Sequence, residues 1–343
     1  MPEKPRSASG ERPHWRSSLL YYLRPVVGIV LLCVLLSMVP FGSLISEVKH
    51  ARLGFIVLAF VAVLADMLVS SLKLWLLLRL KPPALSLPAV VNAYYVGSFF
   101  NNFLPTNVGG DVMKVAELRR RNVSTGHAAA CVVVERGTGI LMVMVVAAVV
   151  GLWQGEVFDQ LDIPAARWLM IALALGTFAA AGAAYALWQG HLKAFLQRRQ
   201  ERVVYGGIYR MVSAFYVFRH HLGVAAVAMG LSAVFYCLLA VTIVILGRSV
   251  GAQVPFMTAA VILPPVKIAE LLPISLGALG VREVALSFCL VGVGVSPAQA
   301  ATMALLLRLI VWVHSAAGGC AYVAGHRRMR HAAPVAGKLE TED

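Results

Sequence analysis

Charge is scarce in this sequence. Only 13% of its 343 residues are Asp, Glu, Lys or Arg, against ~25% in soluble domains. A water-facing shell of ordinary polarity cannot be built from it, which excludes the soluble enzyme classes. Acidic residues are rarer still, 16 against 30 basic. The five cysteines, Cys33, Cys131, Cys237, Cys289 and Cys320, lie far apart among apolar neighbours with no CxxC, which excludes a disulfide framework and a thiolate metal site. Enzyme motifs are missing as well. Gly292-Val293-Gly294 lacks the strand context and third glycine of a dinucleotide site, and His220-His221 stands without HExxH or cysteine partners. No ATP-binding motif or coupling-ion signature is present, so no cofactor and no metal are expected.

What the chain does have is apolar length. Hydrophobic residues make up 59% of it, and its mean hydropathy is +0.79. About 20 apolar residues cross the hydrocarbon core as a helix. Six runs meet that: Val26 to Ile45, Leu53 to Leu72 with Asp66, Ser124 to Trp153 with Glu135 and Arg136, Trp168 to Gly190, Leu222 to Gly247, and Pro297 to Ala324 with Arg308. The first run is longer than a signal-peptide core and has no cleavage site after it, so it reads as a retained span. Two further apolar stretches, Ala84 to Asp111 and Val254 to Gly294, are broken by Pro, Gly and Asn.

The basic residues orient the chain. They gather in the N-terminal tail, after the second run, after Asp111, between residues 191 and 221, and at the C-terminus, so that 22 of the 30 fall on one side, 6 on the other and 2 within the membrane. The positive-inside rule makes the crowded side cytoplasmic, with both termini on it. The net charge of +14 is then a topology signal, and nucleic acid is not an expected partner. Both flanks of Ala84 to Asp111 lie inside, which makes that segment a re-entrant hairpin; Val254 to Gly294 is its counterpart from outside. Within 191–221, apolar residues recur every three to four positions between basic ones. That pattern reads as an interfacial helix on an anionic leaflet.

Three crossings and one hairpin on each side of the acidic loop of Glu156, Asp159 and Asp162 give an all-α fold of two inverted repeats. The repeats cover about 26–153 and 168–325, between tails at 1–25 and 326–343. Leu104-Pro105-Thr106-Asn107-Val108-Gly109-Gly110 aligns with Leu272-Pro273-Ile274-Ser275-Leu276-Gly277-Ala278, and Lys114 with Arg282. Ser124 can cap one following helix, and Ser296-Pro297-Ala298-Gln299 is a capping box for the other. Eleven residues beyond each cap stand Glu135 and Arg308, ~17 Å along the helix and near the bilayer centre. Non-helical backbone at that depth needs protein or a water-filled cavity around it, so Asn101 and Asn102 through Asp111 point to a polar cavity.

Charged residues near the breaks are the candidate substrate ligands: Asp111, Lys114, Glu135 and Arg136 in the first half, and Lys267, Glu270, Arg282, Glu283 and Arg308 in the second. Each has a structural alternative. Asp111 can cap its helix; Glu135 can pair across helices, for example with Arg308; the four around the second hairpin can satisfy one another. Asp66 reads as facing the bundle near the cytoplasmic side.

Asn102-Phe103-Leu104-Pro105 leading to Gly109-Gly110-Asp111, then Glu135-Arg136, then Leu272-Pro273-Ile274-Ser275 with Gly277, Gly280 and Arg282-Glu283, resemble the transmembrane region of lysylphosphatidylglycerol synthases and related stand-alone flippase-like proteins. The likeness covers about Val26 to Ala324. It implies a plasma-membrane, multi-pass protein that moves a polar-headgroup lipid, phospholipid or isoprenoid-linked, between leaflets, with Pro105, Gly109, Gly110, Pro273, Gly277 and Gly280 as the hairpin breaks. The aminoacyl-transferase domain of the synthases is not expected in this chain, which favours a transporter over an enzyme. A membrane enzyme acting on a lipid-linked substrate and an accessory subunit remain the alternatives, and a homodimer or a soluble transferase partner is compatible with each. Ala278 departs from the pattern, since a glycine is expected there.

Overall fold

A computed structural model describes residues 15–37, 39–103, 109–153, 168, 171–179, 221–272 and 274–332. Among them every regular element is helical. Four helices are long and apolar enough to cross a membrane, over Leu53–Leu78, Thr125–Val150, Gly223–Ser249 and Pro297–Ala324, in agreement with four of the six expected spans. Of the fourth, Trp168 to Gly190, only the helical stretch at 171–179 and residue 168 are described. The acidic loop, the basic segment 191–220, Pro105, Pro273 and most of both tails lie outside the described residues.

The first expected span requires correction. Val26 to Ile45 is not one straight helix but α1 (Trp15–Ser37) and α2 (Phe41–His50), bent by 86°. Pro40 is the cause: it stands at φ −55°, ψ 124° before α2, and proline drives the residue ahead of it out of the helical region. Helix α2 then packs against the last helix of the chain.

Helix α3 (Leu53–Leu78) corrects a second expectation. The second span does not stop at Leu72; the helix runs on through Lys73, because Leu74 to Leu78 keep it apolar and the first breaker is Pro82. Lys73 therefore belongs to the bundle and not to the basic inner flank. Next come α4 (Leu87–Phe103), α5 (Gly109–Arg119) and α6 (Thr125–Trp153). Neither α4, at 17 residues, nor α5, at 11, reaches the ~20 needed to span, and they fold back on each other. After the stretch at 171–179 follow α7 (Leu222–Ser249), α8 (Phe256–Leu271), a 3-10 turn (Leu276–Ala278) and α9 (Val281–Gly292). Helices α8 and α9 form the second hairpin. The chain's long final helix is α10 (Pro297–Ala332). Its capping box is half formed. Ser296 Oγ accepts the Gln299 N–H at 3.3 Å, while the Gln299 amide donates to Val250 O at 2.9 Å.

Packing centres on two main apolar cores joined by α3. Its first half contributes Ala59 and Val63 to a core with Ile243, Leu246, Ile262, Leu290 and Met303. Its second half gives Leu74, Leu77 and Leu78 to another with Val90, Leu118, Val123 and Cys131. Outward-facing Leu53, Val57, Leu58 and Val61 form the apolar skin that a bilayer-facing helix needs. Two buried histidines tie neighbours to α3 through its carbonyls, His127 to Leu78 O at 3.2 Å and His314 to Phe60 O at 3.1 Å. All five cysteines are free thiols.

Candidate functional site

Between the two cores, α3 carries polar residues. Asp66, Ser70 and Lys73 stand four and three residues apart, so they share one helix face. That face borders a cavity of about 380 Å³. Around it the fold gathers eight of the sequence-predicted ligands: Asn101, Asn102, Lys114, Glu135 and Arg136 from the first half, and Lys267, Glu270 and Arg282 from the second. Its remaining walls are mostly apolar, with Val143, Phe235, Leu239, Ile243, Leu263 and Leu307 among them. The cavity is therefore amphipathic.

The first hairpin closes tightly enough to deliver its charges because Gly97 of α4 faces Gly110 of α5. A Cβ on Gly97 would lie 2.8 Å from Gly110 O, and one on Gly110 would overlap Gly97 O. This approach seats the Lys114 ammonium 3.9 Å from the centre of the Tyr94 ring, a favourable cation–π contact. Lys114 lies 3.5 Å from Asp111 Oδ1 and 3.7 Å from Glu135 Oε2, and Lys73 lies 3.6 Å from Glu135 Oε1. Arg136 Nε pairs with Asp111 Oδ2. Glu135 and Arg136, ~100° apart on α6, thus serve different partners in one network. The ammonium contacts are loose. Asp111 Oδ1 and Glu135 Oε2 are buried without a hydrogen bond, while Lys73 also donates to Ser232 Oγ at 3.0 Å. The Asn102 amide donates instead to Ser98 O at 3.0 Å and to Ser315 Oγ of α10 at 2.6 Å.

The second hairpin separates its charges into two groups. Glu270 accepts from Arg282 Nε at 2.6 Å and from Lys267 Nζ at 3.1 Å, on the cavity side. Glu283 and Arg308 do not line the cavity. Glu283 is fully buried, accepting the Gly280 N–H at 2.7 Å and Arg308 Nε at 2.6 Å, and Arg308 donates further to Ala278 O at 2.9 Å and Gly277 O at 3.3 Å. These two side chains supply the partners that non-helical backbone needs inside a membrane. A Glu135 to Arg308 pair is not formed. Each long helix instead meets the second arm of its own hairpin, which brings it an opposite charge.

The turn shows why glycine is expected at position 278. Gly280 has φ +78° and sits so close to α1 that a Cβ would meet Gly28 O; no other residue fits. Ala278 also stands at positive φ, +55°, where a Cβ costs roughly 1–2 kcal/mol. Ala278→Gly is expected to stabilise the detergent-solubilised protein by about 1 kcal/mol, read as a higher midpoint in a thermal melt. A lower midpoint would show that the Ala278 methyl, which is buried, contributes more through packing than the backbone loses.

Sequence reasoning missed Lys73 and Tyr94. The signal for Lys73 was present, since it follows Asp66 by two helical turns inside an unbroken apolar run. Tyr94 offered none, because an aromatic on an apolar helix is usually packing. Among the described residues, no group of three His, Cys, Asp or Glu side chains is placed to hold a metal ion.

These features define a class: an all-helical membrane protein with buried charges gathered at an amphipathic cavity between two helical hairpins. The profile of the family described as Lysylphosphatidylglycerol synthase TM region matches residues 21–318. The chain belongs to that family. No curated protein sequence matches it.

Proposed function

We propose that this protein moves a polar-headgroup lipid between leaflets of the plasma membrane. The observation that carries the reading is the cavity, whose lining combines ionic groups from both halves of the chain with apolar side chains. A headgroup loses several kcal/mol of hydration if dragged through hydrocarbon. Ionic partners offset that loss, while the acyl or isoprenoid chain stays against apolar surface. Family membership supports the same activity.

Two inverted repeats, six crossings and cytoplasmic termini complete the proposal. Reciprocal packing supports the repeats: α4 lies against α10 and α8 against α6, so the first arm of each hairpin meets the long helix of the other half. The second arms meet the long helices of their own halves, α5 against α6 and α9 against α10. Inverted repeats with broken helices at mid-membrane are a recurrent transporter plan.

Purified protein in vesicles is expected to speed leaflet exchange of an acyl-labelled phospholipid. Asp111→Asn and Arg136→Gln are expected to slow it about tenfold, the worth of one charge-assisted hydrogen bond. Covalent change of the lipid without faster exchange would instead favour an enzyme acting on a lipid-linked substrate.

A further inference from the structure

The bend at Pro40 turns α2 (Phe41–His50) across one end of the bundle, at a depth that its neighbours define. Three spanning helices terminate around it. Helix α3 begins at Leu53, three residues after α2 ends, and the Arg52 N–H donates at 2.9 Å to the carbonyl of Ser249, the last residue of α7. Ala298 and Ala301, in the first turns of α10, pack in the same cluster as Leu44 of α2. Helix α2 therefore runs where spanning helices leave the hydrocarbon core.

The sequence of α2 suits that depth. Leu44, Ile45 and Val48 fall within ~100° of one another around the helix, and Ser46, Glu47 and His50 occupy the opposite side. Leu44 packs against Leu35 and Val39 from the chain ahead of the bend, so the apolar face looks back toward the membrane interior. On that face Ile45 and Val48 are exposed. Lys49 stands at its edge beside Ile45 and is exposed, as are Arg52 and Arg248 at the junction with α3 and α7. A helix with an apolar face toward the core and cations along its border lies in the plane of a membrane interface. Its long basic side chains reach the phosphate layer.

We infer that α2 is seated in the headgroup layer of the leaflet at this end of the bundle, with Ile45 and Val48 among the first acyl carbons and Lys49, Arg52 and Arg248 on the phosphates of anionic phospholipid. On the orientation proposed above this is the external leaflet. Charge complementarity selects that occupant: an apolar strip alone would accept any hydrocarbon, whereas the cations beside it fit a surface that carries negative charge. The seat is independent of translocation, since none of these five residues lines the cavity.

Thiol labelling in nanodiscs that each hold one copy of the full chain is the test, so that no second copy covers α2. The exposed cysteines Cys33, Cys237 and Cys320 are changed to Ala, and Ile45→Cys, Ser46→Cys, Val48→Cys and His50→Cys are introduced singly, in discs of phosphatidylcholine with phosphatidylglycerol. A water-soluble maleimide is expected to label Ser46→Cys and His50→Cys rapidly. Ile45→Cys and Val48→Cys should react at least about tenfold more slowly, the factor that burial of an aliphatic side chain is worth. Adding Lys49→Gln or Arg52→Gln to Val48→Cys is expected to speed its labelling about fivefold, the worth of one basic residue at an anionic surface, and Lys49→Arg to leave it slow. Loss of a neighbouring cation by itself slows a thiol, because less thiolate forms, so a rise reports exposure. In phosphatidylcholine alone the rise should shrink. Equal rates at all four positions overturn the seat. Slow labelling that Lys49→Gln and Arg52→Gln leave unchanged, or a rise as large in phosphatidylcholine alone, overturns the contact with anionic phospholipid.

Discussion

Arg308→Met is expected to remove about 3–5 kcal/mol of stability, the cost of leaving a buried ionic partner without its counter-charge. Glu283 is fully buried, and among the described residues Arg308 is the cation in direct contact with it, at 2.6 Å. The same guanidinium holds the carbonyls of Gly277 and Ala278, so the hairpin loses its support as well as its charge balance. Thermal melts in detergent are the measurement. Glu283→Gln/Arg308→Met should be less damaging than the sum of its single variants, because the double change leaves no orphaned charge. Strict additivity would mean that the 2.6 Å contact between them carries no coupling.

Glu135→Gln is expected to be the most harmful single change on the cavity side. Lys73 and Lys114 are both 4% exposed, and both depend on this carboxylate. Without it Lys114 keeps Asp111 at 3.5 Å, but Lys73 keeps the Ser232 hydroxyl and only the more distant charge of Asp66. A destabilisation of about 3 kcal/mol follows from one uncompensated buried cation. The rescue is specific: Glu135→Gln/Lys73→Met removes the orphan and should recover much of the melting midpoint. Glu135→Gln/Lys114→Met should recover less, since Asp111 would then lose one of its two cations. Equal recovery by the two double variants would refute the assignment of Lys73 as the more dependent lysine.

These two predictions depend on pairings that could not be read along the chain. The height of a charge in the membrane follows from counting residues from a cap, and on that basis Glu135 and Arg308 both fall near the centre. Which way each points around its helix, and which helix stands there, does not follow. Glu135 and Arg308 have similar heights and opposite signs, yet each pairs inside its own half, because Lys114 and Glu283 are carried to them on the second arms of the hairpins. Lys73 was legible only in part, through its spacing of two helical turns from Asp66. A lone lysine at the end of an apolar run looks like a flank charge until Glu135 is found beside it.

The amino-acid sequence by itself determined the segment plan. Hydropathy is a local property, so the runs Leu53 to Leu72, Ser124 to Trp153, Leu222 to Gly247 and Pro297 to Ala324 were legible as spanning helices, although the first of them continues to Leu78. The Pro, Gly and Asn residues of the two broken stretches were legible as interruptions, since the backbone geometry they favour or forbid is intrinsic to each residue. Their motifs also carried the family. Tertiary structure alone decided the 86° bend between α1 and α2, the close approaches at Gly97 with Gly110 and at Gly280 with Gly28, and the division of eleven candidate ligands into those bordering the cavity, Asp111 bound to them, and the Glu283–Arg308 pair behind the turn. The physical reason is that charges inside a membrane are fixed by their partners. Partners are set by which helices pack side by side, a relation between segments far apart in the chain.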